Sequence, residues 1–200
     1  MTRIPSQTQH LEQLIKRSRF VARVMHLPSP ETCSELLARH HDASASHHCW
    51  AYKCGALCRS NDDGEPGGSA GRPILAAITG QDFDQTLVVV QRWFGGIKLG
   101  VGGLVRAYGG SAAKCLHQTP SQPLISMARM RLQCRHEHIG IVHAACQAHQ
   151  ANVLSEDWLA DQVNIEVELP RAQCATLSQQ LCDASSGLIQ IGAGAAPSAG

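Results

Sequence analysis

Two glycine-rich stretches carry the residues best suited to chemistry. Gly95-Gly96 and Gly102-Gly103 bracket Lys98 and open onto a segment, Leu104 to His117, whose apolar spacing predicts a helix. Glycine lets backbone come close to a partner or take positive φ. A helix N-terminus offers free N–H groups and the positive end of the dipole to an anion. Arg72, Arg92 and Arg106 fall in the same segments. A phosphate, an RNA backbone or an acidic peptide is therefore the expected ligand, with Trp93 or Tyr108 available to stack on a base. The same glycines equally serve tight turns and close helix packing, and both readings stay open here. The segment lacks the G-x₄-G-K-[ST] spacing of a phosphate-binding P-loop. It also lacks the acidic residue that follows a dinucleotide-binding fingerprint.

A second group sits upstream. Asp62, Asp63 and Glu65 place three carboxylates within four positions. They have the donor type for Mg²⁺, or for a general base. The structural alternative is favoured: Asp beside Gly64 is turn chemistry, and Glu65 is expected to pair with Arg72. His47-His48-Cys49 resembles a metal cluster, but in a strand His47 and His48 point to opposite faces and cannot share one ion without distortion. Cys49 as a nucleophile would need a partnered base, and Ser69 is not in a nucleophile elbow. No catalytic residue, metal or cofactor is assigned from the sequence.

The bulk properties narrow the classes. The chain has 200 residues, 44% apolar and 16% charged, enough for a core and against global disorder. The net charge of +1 means any basic surface must be local, and the eleven histidines add charge below about pH 6.5. No apolar run is long enough for a membrane-spanning helix. The first twenty residues lack the apolar stretch of a signal peptide, so a cytoplasmic location is expected. Nine cysteines are then read as reduced thiols. Cys33, Cys115, Cys146, Cys174 and Cys182 are read as small apolar helix residues.

The elements that must hold these groups follow from periodicity. Strands are expected over 7–16, 19–27, 47–54 and 86–94, the last apolar enough to be buried on both faces. Helices are expected after Ser29, read as an N-cap before Pro30, and over 73–80 and 104–117. Residues 60–72 read as a loop, and Thr119 to Pro123 as a linker. Beyond it the pattern restarts: strand 124–134, helix 139–150, strands 151–158 and 163–169, helix 170–184, strand 186–191. That order is βαββαβ, the ferredoxin-like pattern. The fold class is α+β with two domains, 1–118 and 124–192, a linker over 119–123, and a disordered tail over 193–200.

Several stretches resemble the IMPACT/YigZ family. They are Lys16-Arg17-Ser18-Arg19-Phe20, His47-His48-Cys49, Asp62-Asp63-Gly64-Glu65-Pro66 running into Ala70-Gly71-Arg72-Pro73, and Val89 to Tyr108. The last is long and specific, and the resemblance covers essentially the whole chain. Ser69 departs from the family's frequent Thr, and Trp93 from its commoner Tyr or Phe. The resemblance implies an N-terminal domain like a ribosomal small-subunit protein's second domain and domain IV of elongation factor G, followed by a ferredoxin-like domain. It implies a non-enzymatic protein that contacts RNA or a ribosome-associated factor. A protein-interaction module and an enzyme acting on a phosphorylated small molecule remain as alternatives.

Overall fold

The computed structural model describes residues 2–194. The chain forms two compact α+β units and passes from one to the other between Leu124 and Ile125.

The first unit is built on a five-stranded antiparallel sheet in the order β2-β3-β6-β4-β5. Its strands are β2 (Gln9–Ile15), β3 (Ser18–His26), β4 (His47–Cys54), β5 (Leu57–Asn61) and β6 (Thr86–Trp93). A two-stranded ribbon joins β1 (Arg3–Pro5) to β7 (Ser121–Pro123). Helices α2 (Gly71–Gly80) and α3 (Val101–Gln118) cover one face of the sheet, and α1 (Cys33–Arg39) covers the other. Strand alternation sorts the side chains. Phe20, Ala22, Val24, Cys49, Ala51, Val88 and Val90 pack beneath α2 and α3. Met25, Tyr52, Leu87 and Val89 face α1. Covering on both sides explains the unbroken apolar run from Leu87 to Val90 in β6. In α3 the buried residues are Leu104, Ala107, Tyr108, Ser111, Ala112, Cys115 and Leu116, a stripe at helical spacing. Each fully buried aliphatic side chain of this core contributes about 1.5–3 kcal/mol.

The second unit contains β8 (Met127–Cys134), α4 (Ile139–Ala148), β9 (Asn152–Trp158), β10 (Val163–Pro170), α5 (Cys174–Ser185) and β11 (Gln190–Ala193). Its sheet order is β11-β8-β10-β9, all antiparallel, which is the ferredoxin-like arrangement. Leu132, Ile165 and Val167 meet Val142, Leu177 and Leu181 of the two helices in one core.

Several details differ from the sequence expectation. β5 occupies part of the stretch before the acidic loop; all five of its residues are exposed, so no alternation marks it. α3 begins at Val101 rather than Leu104, because the N–H of Leu104 already bonds the Gly100 carbonyl. Gly102 and Gly103 are therefore helical, and a Cβ on Gly103 would lie 3.1 Å from that of Leu99. Ser121–Pro123, within the expected linker, is strand β7, bonded to β1; Pro5 and Pro123 suit such an edge ribbon. Ser29 makes no side-chain cap: the chain enters α1 through a 3₁₀ turn at Pro30–Thr32. A similar turn at Arg171–Gln173 delays α5 to Cys174. Cys182 is exposed on α5 rather than packed inward. Ala193, placed in the expected tail, ends β11; residues 195–200 of that tail lie outside the described residues. No helix among the described residues is long and apolar enough to cross a membrane.

Candidate nucleic-acid interface

The three carboxylates of the acidic loop do three separate things. Asp62 Oδ1 accepts bonds from the N–H groups of Ala70 (2.9 Å) and Gly71 (2.8 Å), and Oδ2 accepts from Gly68 (2.8 Å). The carboxylate thus caps the start of α2, although it is eight or nine residues upstream of the groups it serves. Burial pushes its pKa up, but the bonds from Gly68, Gly71 and Ala70 and the charge of Arg72 outweigh this and hold it below the ordinary range. Asp63 stands at φ 41°. Its Oδ2 accepts the His48 backbone N–H at 2.6 Å, and its carbonyl lies 2.7 Å from His47 Nδ1. A carbonyl only accepts, so Nδ1 of His47 carries the proton. Among the described residues no group of three or more His, Cys, Asp or Glu is arranged to hold a metal ion.

Glu65 turns inward. Its side chain is 4% exposed, and Oε1 accepts from Arg92 Nη1 at 2.6 Å and from the Tyr108 hydroxyl at 2.7 Å. The expected partner of Glu65 was Arg72; the observed one is Arg92. Arg92 follows Val88 and Val90 on the core face of β6, so its guanidinium enters the interior between the rings of Phe20 and Phe94, 5.6 and 5.4 Å from their centroids. Tyr108 stands edge-on to Phe20, with centroids 5.3 Å apart. Burial pushes the Tyr108 hydroxyl pKa upward, so it acts as a donor. His47 Nε2 approaches Glu65 from the open side, at 3.9 Å.

The structure revises the expectation for Arg92, Tyr108 and Trp93, and it fixes the places of His48 and Cys49. Arg92 is engaged inside the protein and does not face an external phosphate. Tyr108 is fully buried and offers no face to a base. Trp93 is half-buried; its indole N–H donates to Ser44 Oγ at 2.9 Å, and the Arg19 guanidinium covers its ring at 4.4 Å. His48 points to the other face of the sheet from His47, stacked on His41 at 4.2 Å. Cys49 is buried, its Sγ–H donates to the Asp62 carbonyl, and burial pushes its thiol up to about 12, far from a thiolate at neutral pH.

The remaining residues gather outside. Residues 94–100 join β6 to α3, and they rest on the turn between β2 and β3. A Cβ on Gly95 would lie 1.8 Å from the Arg17 carbonyl oxygen, so only glycine permits this approach. The contact sets Lys16 and Arg17 beside the loop that carries Lys98. Gly96 and Gly100 take φ of 85° and 71°, turning the loop into the first turn of α3. The N–H groups of Val101, Gly102 and Gly103 precede the first intrahelical bond and have no helical acceptor. Arg106 folds back over this turn, its Nη1 3.8 Å from the Cβ position of Gly102. A cation there opposes the helix dipole, an arrangement that suits a bound anion. Lys98, Arg106 and Arg72 are exposed and form no ion pair among the described residues. Arg72 leads α2, whose Pro73 packs on Gly109 of α3, 3.2 Å from its Cβ position. Phe94 is 50% exposed, with Ile97, Val101 and Val105 also open to solvent. Sequence reasoning missed Phe94, Lys16 and Arg17 as members of this surface. Phe94 shares the face of Arg92 by strand alternation, but only the fold shows that it emerges at the rim.

Comparison with known proteins covers both units. Residues 16–116 match the Impact N-terminal domain, and residues 132–188 match a domain of unknown function, DUF1949. An IMPACT family member from Thermus thermophilus is 41% identical, covering 78% of this chain and 87% of that protein. The IMPACT family member YigZ of Escherichia coli is 35% identical over 94% of this chain and 95% of its own length. A crystal structure of a hypothetical protein, 33% identical, superposes with a TM-score of 0.72 over 97% of both chains.

Proposed function

The chain belongs to the IMPACT family, and from that premise we propose that it is a non-enzymatic protein that binds RNA, free or within the translation machinery. The interface is the surface made by the β2–β3 turn, residues 94–100 and the first turn of α3. One observation carries this reading: Lys98 and Arg106, exposed and without an ion pair among the described residues, lie on the loop and first turn of α3, whose leading N–H groups have no helical acceptor, next to the half-exposed Phe94. Cations and N–H groups take phosphates, and an exposed aromatic takes a base face. Electrostatic affinity of this kind is typically weak, with Kd about 10⁻⁴–10⁻⁶ M, and falls with salt. The near-neutral net charge makes the loop surface, rather than the whole protein, the source of that attraction. The deciding experiment is RNA binding followed by fluorescence anisotropy across a salt series, for the wild type and a Lys98→Ala, Arg106→Ala double variant.

A protein partner on the same surface is a second reading. The exposed Ile97, Val101 and Val105 favour it, since they add apolar area that phosphate recognition does not use. A pull-down that survives nuclease treatment would support this reading, and loss of every partner on that treatment would contradict it.

A further inference from the structure

The second unit holds a pocket that RNA binding by the first unit does not use. Helices α4 and α5 cover one face of its sheet, and polar side chains line the other. One rung across that face consists of Gly192, Arg131, Glu166 and Ser155, in register on the four neighbouring strands. Gln133, Asn164 and Asp157 lie on the next rung. They line a concave pocket of about 550 Å³, within the range of small-molecule sites. Gly192 and Ser155 are the small members of the first rung, and Arg131 and Glu166 its charged members.

Those two residues stand directly opposite each other, where Cβ atoms are about 4.5–5.5 Å apart. They nonetheless form no ion pair among the described residues. The next such pair on the same two strands does: Arg129 Nε reaches Glu168 Oε1 at 3.1 Å. Arg131 is instead exposed, while Glu166 Oε1 is shielded from solvent and has no hydrogen-bond partner. A carboxylate oxygen in that state is unfavourable unless something donates to it. The pocket thus sets an exposed guanidinium beside a carboxylate whose solvent-shielded Oε1 lacks a donor, and a ligand's cation meets that oxygen once the Glu166 side chain turns outward.

We propose that this pocket binds a small ligand carrying both a carboxylate and a cation: a basic amino acid, free or as the C-terminal residue of a peptide. The ligand carboxylate pairs with Arg131, in the fork geometry that guanidinium favours. The ligand ammonium or guanidinium donates to Glu166. Asp157 adds a second negative charge against the single positive charge of Arg131, so the site prefers a ligand of net positive charge. Gln133 and Asn164 supply neutral donors and acceptors for the rest.

The test uses the full chain and amide chemical shifts on addition of L-arginine, Gly-Gly-Arg, L-argininamide and L-glutamate. Saturable shifts in β8, β10 and β11 with L-arginine or the tripeptide are expected. Tighter binding of one of them identifies the free amino acid or the peptide end as the source. Glu166→Gln keeps the shape and is expected to weaken binding about ten- to a hundredfold, as is the loss of the carboxylate in L-argininamide. Arg131→Gln serves as a second variant if Glu166→Gln alters the native spectrum. Absence of saturable shifts with both arginine ligands at millimolar concentration overturns the proposal. So does equal affinity for L-argininamide, for L-glutamate, or in the folded variants.

Discussion

Glu65 Oε1 and Arg92 Nη1 meet at 2.6 Å in the core of the first unit, joining the acidic loop to the central strand. Both side chains are nearly solvent-free, at 4% and 6% exposure, and the Tyr108 hydroxyl completes the Glu65 contacts from α3. The acidic loop, β6 and α3 are thereby tied to one buried point. Breaking one side leaves an uncompensated buried charge. Glu65→Gln and Arg92→Met are each expected to destabilise the protein by about 3–5 kcal/mol. The Glu65→Gln, Arg92→Met double variant is expected to lose much less than the sum. Urea unfolding of the four proteins in a double-mutant cycle checks this, and additive losses would contradict it.

The capping role of Asp62 predicts a pH dependence. Its folded pKa lies below the ordinary value of 3.8. Its contribution to stability is therefore fully present above that ordinary value, and is lost as pH falls through the lower folded value. Asp62→Ala is expected to cost about 1–2 kcal/mol at neutral pH through loss of the cap. Asp62→Asn is expected to flatten the wild-type loss of stability below about pH 4. Thermal unfolding between pH 2 and 7 measures both effects; an unchanged acid limb in Asp62→Asn would contradict the assignment.

Much of this network is legible in the sequence, and part is not. Val88, Val90 and Arg92 alternate on β6, so strand parity alone directs Arg92 to the core face; reading it as a surface cation sets charge above register. The stripe through Leu104, Ala107 and Tyr108 likewise marks Tyr108 as buried. The Glu65–Arg92 pair spans 27 positions, and nothing local selects Arg92 over the nearer Arg72. The separate roles of Asp62, Asp63 and Glu65 depend on Asp63 and Gly64 taking positive φ, which aims three neighbouring side chains in three directions. The βαββαβ order of the second unit was readable because its two central strands, β8 and β10, alternate cleanly. β5 was not, because a wholly exposed edge strand carries no pattern.

Thiol reactivity offers a separate check on burial. Cys49 and Cys115 are buried, and burial pushes each thiol up to about 12. Cys58 and Cys182 are exposed. Brief alkylation of the native protein near pH 8, read by peptide mass spectrometry, is expected to label Cys58 and Cys182 and to spare Cys49 and Cys115 until denaturant is added. Prompt native labelling of Cys49 would contradict its placement.

The loop glycines separate by mechanism. Gly95→Ala forces a methyl into the Arg17 carbonyl and is expected to destabilise by about 1–3 kcal/mol while displacing the β2–β3 turn. Gly96 has open space around its Cβ position but φ of 85°, so Gly96→Ala is expected to cost about 1–2 kcal/mol through backbone strain alone. Equilibrium unfolding gives the sizes. Amide shifts at Lys16 and Arg17, moved by Gly95→Ala and not by Gly96→Ala, distinguish the causes.

RNA binding measured by fluorescence anisotropy over a salt series tests the central claim most directly. The wild type is expected to bind a single-stranded RNA with an affinity that falls steeply with salt. In the Lys98→Ala, Arg106→Ala variant binding weakens, and the slope of log K against log salt becomes shallower by about 1.4, the share of two phosphate contacts. A wild type that fails to bind at low salt, or a variant with unchanged affinity and slope, would contradict a nucleic-acid surface on this loop.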